Sequence, residues 1–375
     1  MTSIGATGSN SYSSTYATIL ANIQKNNAGT PAAIGSGSAS NGGASATNVT
    51  LSDAAKAAMS TKDFTAIIAD ARATMDKLLA DAQKTTPLKD GKLDVDMSRI
   101  DRRELYAISS NGEQKFTPDE QKAAQIELQR RFDQALAGPT SVGRVTGKID
   151  GLYTAALAFL DLAGPEEKAS VAYTDARKAV EAMIAKLKTD PGTLPGAVPN
   201  DPINDYMKRL ADGETEGPRN IIDVGADARA TLDAQYKAGG ITPDYKDFDS
   251  RSLSSVALNT GNEFNEAEVR AAKNEMRSRT GSAVLAALKN SDAAANPAGF
   301  SENIISLYGA MSPEERAAAG WSDNLYAAAV SSYQTASKLA SMLNQASSGG
   351  SIFGGSGSGS SGSGSGDKMS LLSYL

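Results

Sequence analysis

Ser109, Asn111, Glu113, Lys115, Thr117 and Glu120 follow one another at intervals of two or three residues between two stretches of helical spacing. Side-chain and carbonyl oxygens at that rhythm are the donor set of a hard divalent cation, which takes six to eight oxygens, several of them charged. A second reading accounts for Glu120 without any metal. Thr117-Pro118-Asp119-Glu120 has the form of a capping box with proline at the first helical position. No other cofactor is expected. The chain has neither cysteine nor histidine, which excludes thiol nucleophiles, Cys/His zinc sites, histidine-ligated haem and every histidine-dependent triad. There is no Walker A sequence and no dinucleotide fingerprint, and no enzyme activity is expected.

The elements that must position these residues occur twice. Asp101–Arg131 aligns without a gap on Asp249–Arg279, 148 positions further on. Asp101, Arg103, Leu105, Asn111, Phe116, Glu120, Ala123, Ala124, Glu127 and Arg131 meet identical residues there. Self-similarity at a fixed offset predicts tandem architecture. An earlier phrase, Ala69-Asp70-Ala71-Arg72-Ala73-Thr74, returns as Ala226-Asp227-Ala228-Arg229-Ala230-Thr231 at an offset of 157. The change of offset places an insertion in the loop Lys84–Asp96, where insertions are tolerated.

Helix, twelve-residue loop, apolar eighth position (Phe116) and acidic twelfth (Glu120): this pattern resembles an EF-hand. It covers about 64–131 and its equivalent, about 221–279. The resemblance implies a calcium loop at 109–120, with Asn111, Glu113, Thr117 and Glu120 as candidate metal ligands and calcium as the candidate ion, and a pairing of Leu93 with Phe116 across a short two-strand ribbon. The departures are substantial. Ser109 or Ala257 stands where the family has its first aspartate, Gln114 or Asn262 replaces the glycine of the sharp turn, and Met97 takes the twelfth place of the upstream loop.

The expected fold is all-α: two tandem helical repeats of about five helices each, with short EF-hand-like loop pairing, flanked by disordered termini. Residues 1–48 form a Ser/Thr/Gly-rich segment expected to be disordered, except for an amphipathic helix at 12–24 carried by Tyr12, Tyr16, Ile19, Leu20 and Ile23. Repeat 1 spans 49–189. Its helices start near Phe64, Ser98, Thr117, Ile149 and Pro165, and Gly138-Pro139 is expected to break the third. A Pro/Gly linker follows at 190–201, and repeat 2 spans 202–345, opening on a short helix from Pro202. Trp321 is expected in the core at the place of Tyr173. Residues 346–375 are a Gly/Ser tether closed by an apolar hook, Asp367–Leu375.

The formal net charge of −6, with basic residues interleaved among acids, offers no footprint for nucleic acid, and no run approaches transmembrane length. Ala46–Ala54, read as "VTLSDA" with its flanks, resembles a phrase of bacterial flagellar and flagellum-exported proteins. The composition resembles that of leaderless substrates of bacterial secretion machines. These resemblances imply a non-enzymatic bacterial interaction or structural protein, flagellar or secretion-system associated, with export without a cleaved signal favoured over a cytoplasmic location. Its protein partner or export machinery would be met through 12–24 and 367–375. The alternative is a calcium-responsive EF-hand-like regulator.

Overall fold

A computed structural model describes residues 62–347, apart from 216–218, 247, 292–295 and 297. The segments 1–61 and 348–375, with the readings made on them, lie outside the described residues. The described chain is mostly helical, with no helix long and apolar enough to cross a membrane among the described residues.

The first half contains α1 (Phe64–Asp81), α2 (Arg102–Ser109), α3 (Pro118–Thr146), α4 (Asp150–Asp161), α5 (Pro165–Lys168) and α6 (Val171–Thr189). α7 (Pro202–Asp212) follows. The second half contains α8 (Ile221–Lys237), α9 (Ser250–Leu258), α10 (Glu266–Asn290), α11 (Gly299–Ala310), α12 (Pro313–Ala319) and α13 (Asp323–Ser347). Six helices thus follow one another in the same order in each half, one more than the sequence suggests. The extra helix is the short α5, which is separate from α6 because the Ser170 side chain accepts from Tyr173 N and opens a new helix.

The spacing of apolar residues decides the cores. Ile67, Ile68, Ala71 and Met75 bury one face of α1 against Leu105 and Ile108 of α2 and Ala123 and Ala124 of α3. Ala228 and Leu232 of α8 meet Leu253, Val256, Ala272 and Met276 in the same way. α2 begins later than its spacing suggests, at Arg102, because the Asp101 carboxylate accepts from Arg103 N and stops the helix from extending towards Ser98.

Four further features differ from the sequence reading. First, α3 runs through Pro139 to Thr146. A proline inside a helix removes a backbone donor and costs about 3 kcal/mol, yet tertiary packing outweighs it. Gly138 lies so close to α11 that a Cβ there would come within 2.8 Å of the Ser306 carbonyl oxygen, and Gly309 of α11 lies as close to Ser141. Thr140 Oγ1 donates to the Leu136 carbonyl and meets Tyr206 Oη at 3.0 Å. This crossing of α3 on α11 joins the two halves.

Second, Leu93 pairs with Leu88 and not with Phe116. The described strands are Leu88–Lys89 and Lys92–Leu93, antiparallel, closed by Asp90-Gly91 with φ of 51° and 76°. Two residues at positive φ make the tight turn that joins adjacent strands. Third, α7 packs on the first half: Ile203 and Tyr206 enter the core containing Tyr153, Val180 and Met183. Fourth, Trp321 is half-buried and precedes α13. It stacks on Tyr308, while Tyr326 occupies the first turn of α13 as Tyr173 does in α6. The gapless offset fails here because α12 has seven residues and α5 only four.

Candidate functional site

The loop at 109–120 is drawn tight by its own backbone groups. Asn111 sits in the left-handed region at φ 54° and its Oδ1 accepts from Phe116 N at 3.1 Å. This folds Phe116 back into the core, where it is buried. Ser109 Oγ donates to the Tyr106 carbonyl. Glu113 reaches outward to Lys115 Nζ at 2.7 Å, and that ion pair holds its carboxyl below the usual range. Thr117 Oγ1 accepts from Glu120 N, and Glu120 Oε2 accepts from Thr117 N at 2.8 Å, completing the capping box.

The centre of the loop holds a cation supplied by the chain itself. Arg72 of α1 donates through Nη2 to Glu120 Oε1 at 2.7 Å, and through Nη1 to Glu120 Oε2 at 2.8 Å and to the Lys115 carbonyl at 3.2 Å. Its guanidinium lies over the Phe116 ring, 5.2 Å from the centroid. Two oxygens that the sequence offers to a metal, the Lys115 carbonyl and the Glu120 carboxylate, therefore face a guanidinium. Burial pushes the Glu120 carboxyl up, but the Arg72 and Thr117 hydrogen bonds outweigh it, and the group ends below its ordinary value.

The second half repeats this arrangement. Asn259 Oδ1 accepts from Phe264 N at 3.0 Å, Asn265 and Glu268 form the capping box, and Arg229 of α8 donates to both oxygens of Glu268 at 3.0 and 2.9 Å. Arg229 also reaches the Glu263 carbonyl at 3.5 Å, the position equivalent to Lys115. Tyr236 Oη donates to Glu268 Oε1. Glu120 and Glu268 are only 4% and 1% exposed.

The structure thus brings Asn111, Thr117 and Glu120 into one loop, each already hydrogen-bonded, and turns Glu113 away. Among the described residues no group of three acids could hold a metal ion together. Sequence reasoning missed Arg72 and Arg229. Their signal was present, since both stand in the repeated phrase Ala-Asp-Ala-Arg-Ala-Thr, but a partner 48 residues away cannot be read from spacing. The other repeated charges are also internal. Arg103 pairs with Glu166 and Arg251 with Glu314. Arg131 donates to the Met97, Ser98 and Ile100 carbonyls, and Arg279 to those of Phe248 and Tyr245.

A second candidate is the cleft between the halves, a half-open cavity of about 290 Å³ whose lining includes Met97, Asp133, Tyr206, Arg219, Arg251 and Glu315. Arg219 bridges it, with Asp227 at 2.7 Å on one side and Asp96 at 3.6 Å on the other. Arg251 donates to the Arg219 carbonyl and to Ser312 Oγ. Asp133 Oδ1 accepts from Gln129 and Arg209, both at 2.8 Å, while its buried Oδ2 has no partner. Burial pushes the carboxyls of Asp133 and Glu315 up. Glu315 is already committed to a capping box with Ser312. The lining hydroxyls of Ser98, Ser250, Ser252 and Thr215 have no histidine to activate them. The cleft can seat a small polar molecule, and its charges are largely matched before one arrives.

No protein-family model, curated protein or solved structure matches this chain.

Proposed function

We propose that this chain is a non-enzymatic interaction protein of a bacterial export or flagellar system, a rigid helical body that carries docking segments at 12–24 and 367–375. The observation that carries the reading is the fate of the repeated charges. Glu120 and Glu268, the acids best placed for chemistry by sequence, each complete a capping box and hold an arginine. Each carboxylate accepts one backbone N–H and is held on both oxygens by an arginine, which makes it a structural anchor. A body built this way holds its shape and leaves recognition to exposed surface. Leu339, Met342 and Leu343 on α13 supply such surface, at 55%, 58% and 60% exposure. The placement in an export or flagellar system rests on the Ala46–Ala54 phrase and the cysteine-free composition.

The test is release from bacterial cells. Removal of residues 1–30, or of 367–375, leaves 62–347 whole and should abolish appearance of the protein in the medium. Release of both truncated forms, or retention of the full chain, would end the export reading. Native mass spectrometry of the purified chain addresses the non-enzymatic half. A metabolite retained at one equivalent and lost on Arg219→Ala would argue instead for a ligand-processing cleft.

A further inference from the structure

The two halves differ at their last helices. In the first half, α6 has 19 residues and lies on the 12-residue α4, so it overhangs that helix by about 10 Å at 1.5 Å per residue. The chain covers the overhang itself: after 190–201 it returns as α7, which contacts both α4 and α6. Ile203 and Tyr206 of α7 join Val180, Met183 and Leu187 in a closed core. In the second half, α13 has 25 residues and lies on the 12-residue α11, an overhang of about 20 Å. Tyr326, Ala329, Val330 and Tyr333 pack on Ile304, Ile305 and Leu307. Beyond Tyr333 an apolar stripe turned to one side of the packed face continues through Ala336, Leu339 and Leu343 at spacings of three and four, with Met342 beside it. No described element covers it, and Leu339, Met342 and Leu343 are more than half exposed.

We propose that residues 367–375 bind this overhanging face of α13, in the way that α7 covers α6. Three observations favour this occupant. The spacing Asp201-x-Ile203-x-x-Tyr206, with which α7 enters its core, returns as Asp367-x-Met369-x-x-Leu372. The 19 residues 348–366 that separate α13 from this segment can span up to about 60 Å of chain, more than an overhang of about 20 Å requires. The overhang carries a single charged side chain, Lys338, so an apolar segment meets little electrostatic opposition. The proposal rests on 367–375 being a docking segment, and it adds the surface that holds this segment when no partner is present.

The chain has no cysteine, so a pair of introduced thiols can form only one intramolecular bond. Leu339→Cys with Leu372→Cys in the full chain should oxidise to an intramolecular disulfide within the monomer. Ser341→Cys with Leu372→Cys is equally reachable by the tether but lies on the opposite side of α13, and should oxidise at least ten-fold more slowly. Equal rates for the two pairs would overturn the proposal. So would disulfides found only in covalent dimers, which would assign the face to a second copy of the chain. Amide hydrogen exchange over 334–346 gives an independent measure: removal of 367–375 should accelerate it at least ten-fold, and no change would overturn the proposal. Failure of these tests leaves the release experiment intact, because truncation of 367–375 could still block export through a partner alone.

Discussion

Replacing Glu120 with glutamine separates the two tasks of this side chain. Glutamine keeps the amide oxygen that accepts from Thr117 N, so the capping box survives. What disappears is the charge facing Arg72. The loss of one member of a buried ion pair costs 3–5 kcal/mol where the other is left wholly unpaired. Arg72 is less isolated than that, since its side chain is 23% exposed and retains Asp76 at 2.9 Å. The expected loss for Glu120→Gln is therefore about 1–3 kcal/mol, read from urea unfolding at pH 7. Glu120→Ala removes the cap as well and should cost about 1 kcal/mol more. In a double-mutant cycle with Arg72→Met, the coupling should be about 1–2 kcal/mol.

The contribution has a defined pH range. The carboxyl is held below its ordinary value of 4.5 in the folded chain, so its stabilisation is complete above that pH and is lost on acidification through the folded value. Calcium provides the opposing measurement. An ion bound with a Kd of 0.1 mM would add about 2.7 kcal/mol at 10 mM, whereas a loop already filled by a guanidinium should show no change in Tm. The reasoning would be refuted if Glu120→Gln were within 0.5 kcal/mol of the parent, if the cycle showed no coupling, or if calcium stabilised the parent by this amount.

Glu127→Gln should cost about 3 kcal/mol, because burial opposes ionisation there but Arg130 and Arg131 outweigh it and pull the carboxyl to about 2. Its equivalent Glu275, 37% exposed beside the single Arg279, should cost under about 1 kcal/mol in the same urea assay. Glu104 has its pKa raised to about 7, by burial first and then by Asp101. Its stabilising contribution is complete below 4.5 and is lost as pH rises through 7. Glu104→Gln should accordingly match the parent at pH 4 and exceed it by roughly 1–2 kcal/mol at pH 8, as measured by denaturation at each pH. Gly309→Ala places a Cβ within 2.4 Å of Ser141 Cβ and 3.2 Å of the Ala137 carbonyl oxygen. It should destabilise by about 1–3 kcal/mol despite the better helix propensity of alanine, and Ser141→Gly in the same chain should recover part of the loss.

What was legible in the sequence was local. Thr117-x-x-Glu120 and Asn265-x-x-Glu268 as capping boxes and the apolar stripes of α1 and α3 all act within a turn or two, and all stand in the structure where the spacing puts them, whereas the Asp101 cap, which starts α2 at Arg102 and not near Ser98, does not follow from the stripe. Features that depend on distant residues were not. Pro139 announces a break by its own chemistry, yet the helix continues where its neighbours Gly138 and Thr140 meet Ser306 and Tyr206. The candidate ligands were identified as an oxygen-rich loop, but the group facing them comes from α1. The cleft was invisible because its walls, from Leu93 to Glu315, come from both halves. The Asp90-Gly91 turn is readable from residue type, since Asp-Gly with both residues at positive φ closes a two-residue hairpin.

Arg72 and Arg229 have one further consequence. A positive charge tethered to its own backbone is present at fixed stoichiometry from the moment the chain folds. Chelators cannot strip it away and no transient in the surroundings can deliver it. A helix–loop–helix unit wired in this manner carries its counter-charge as part of its own covalent structure.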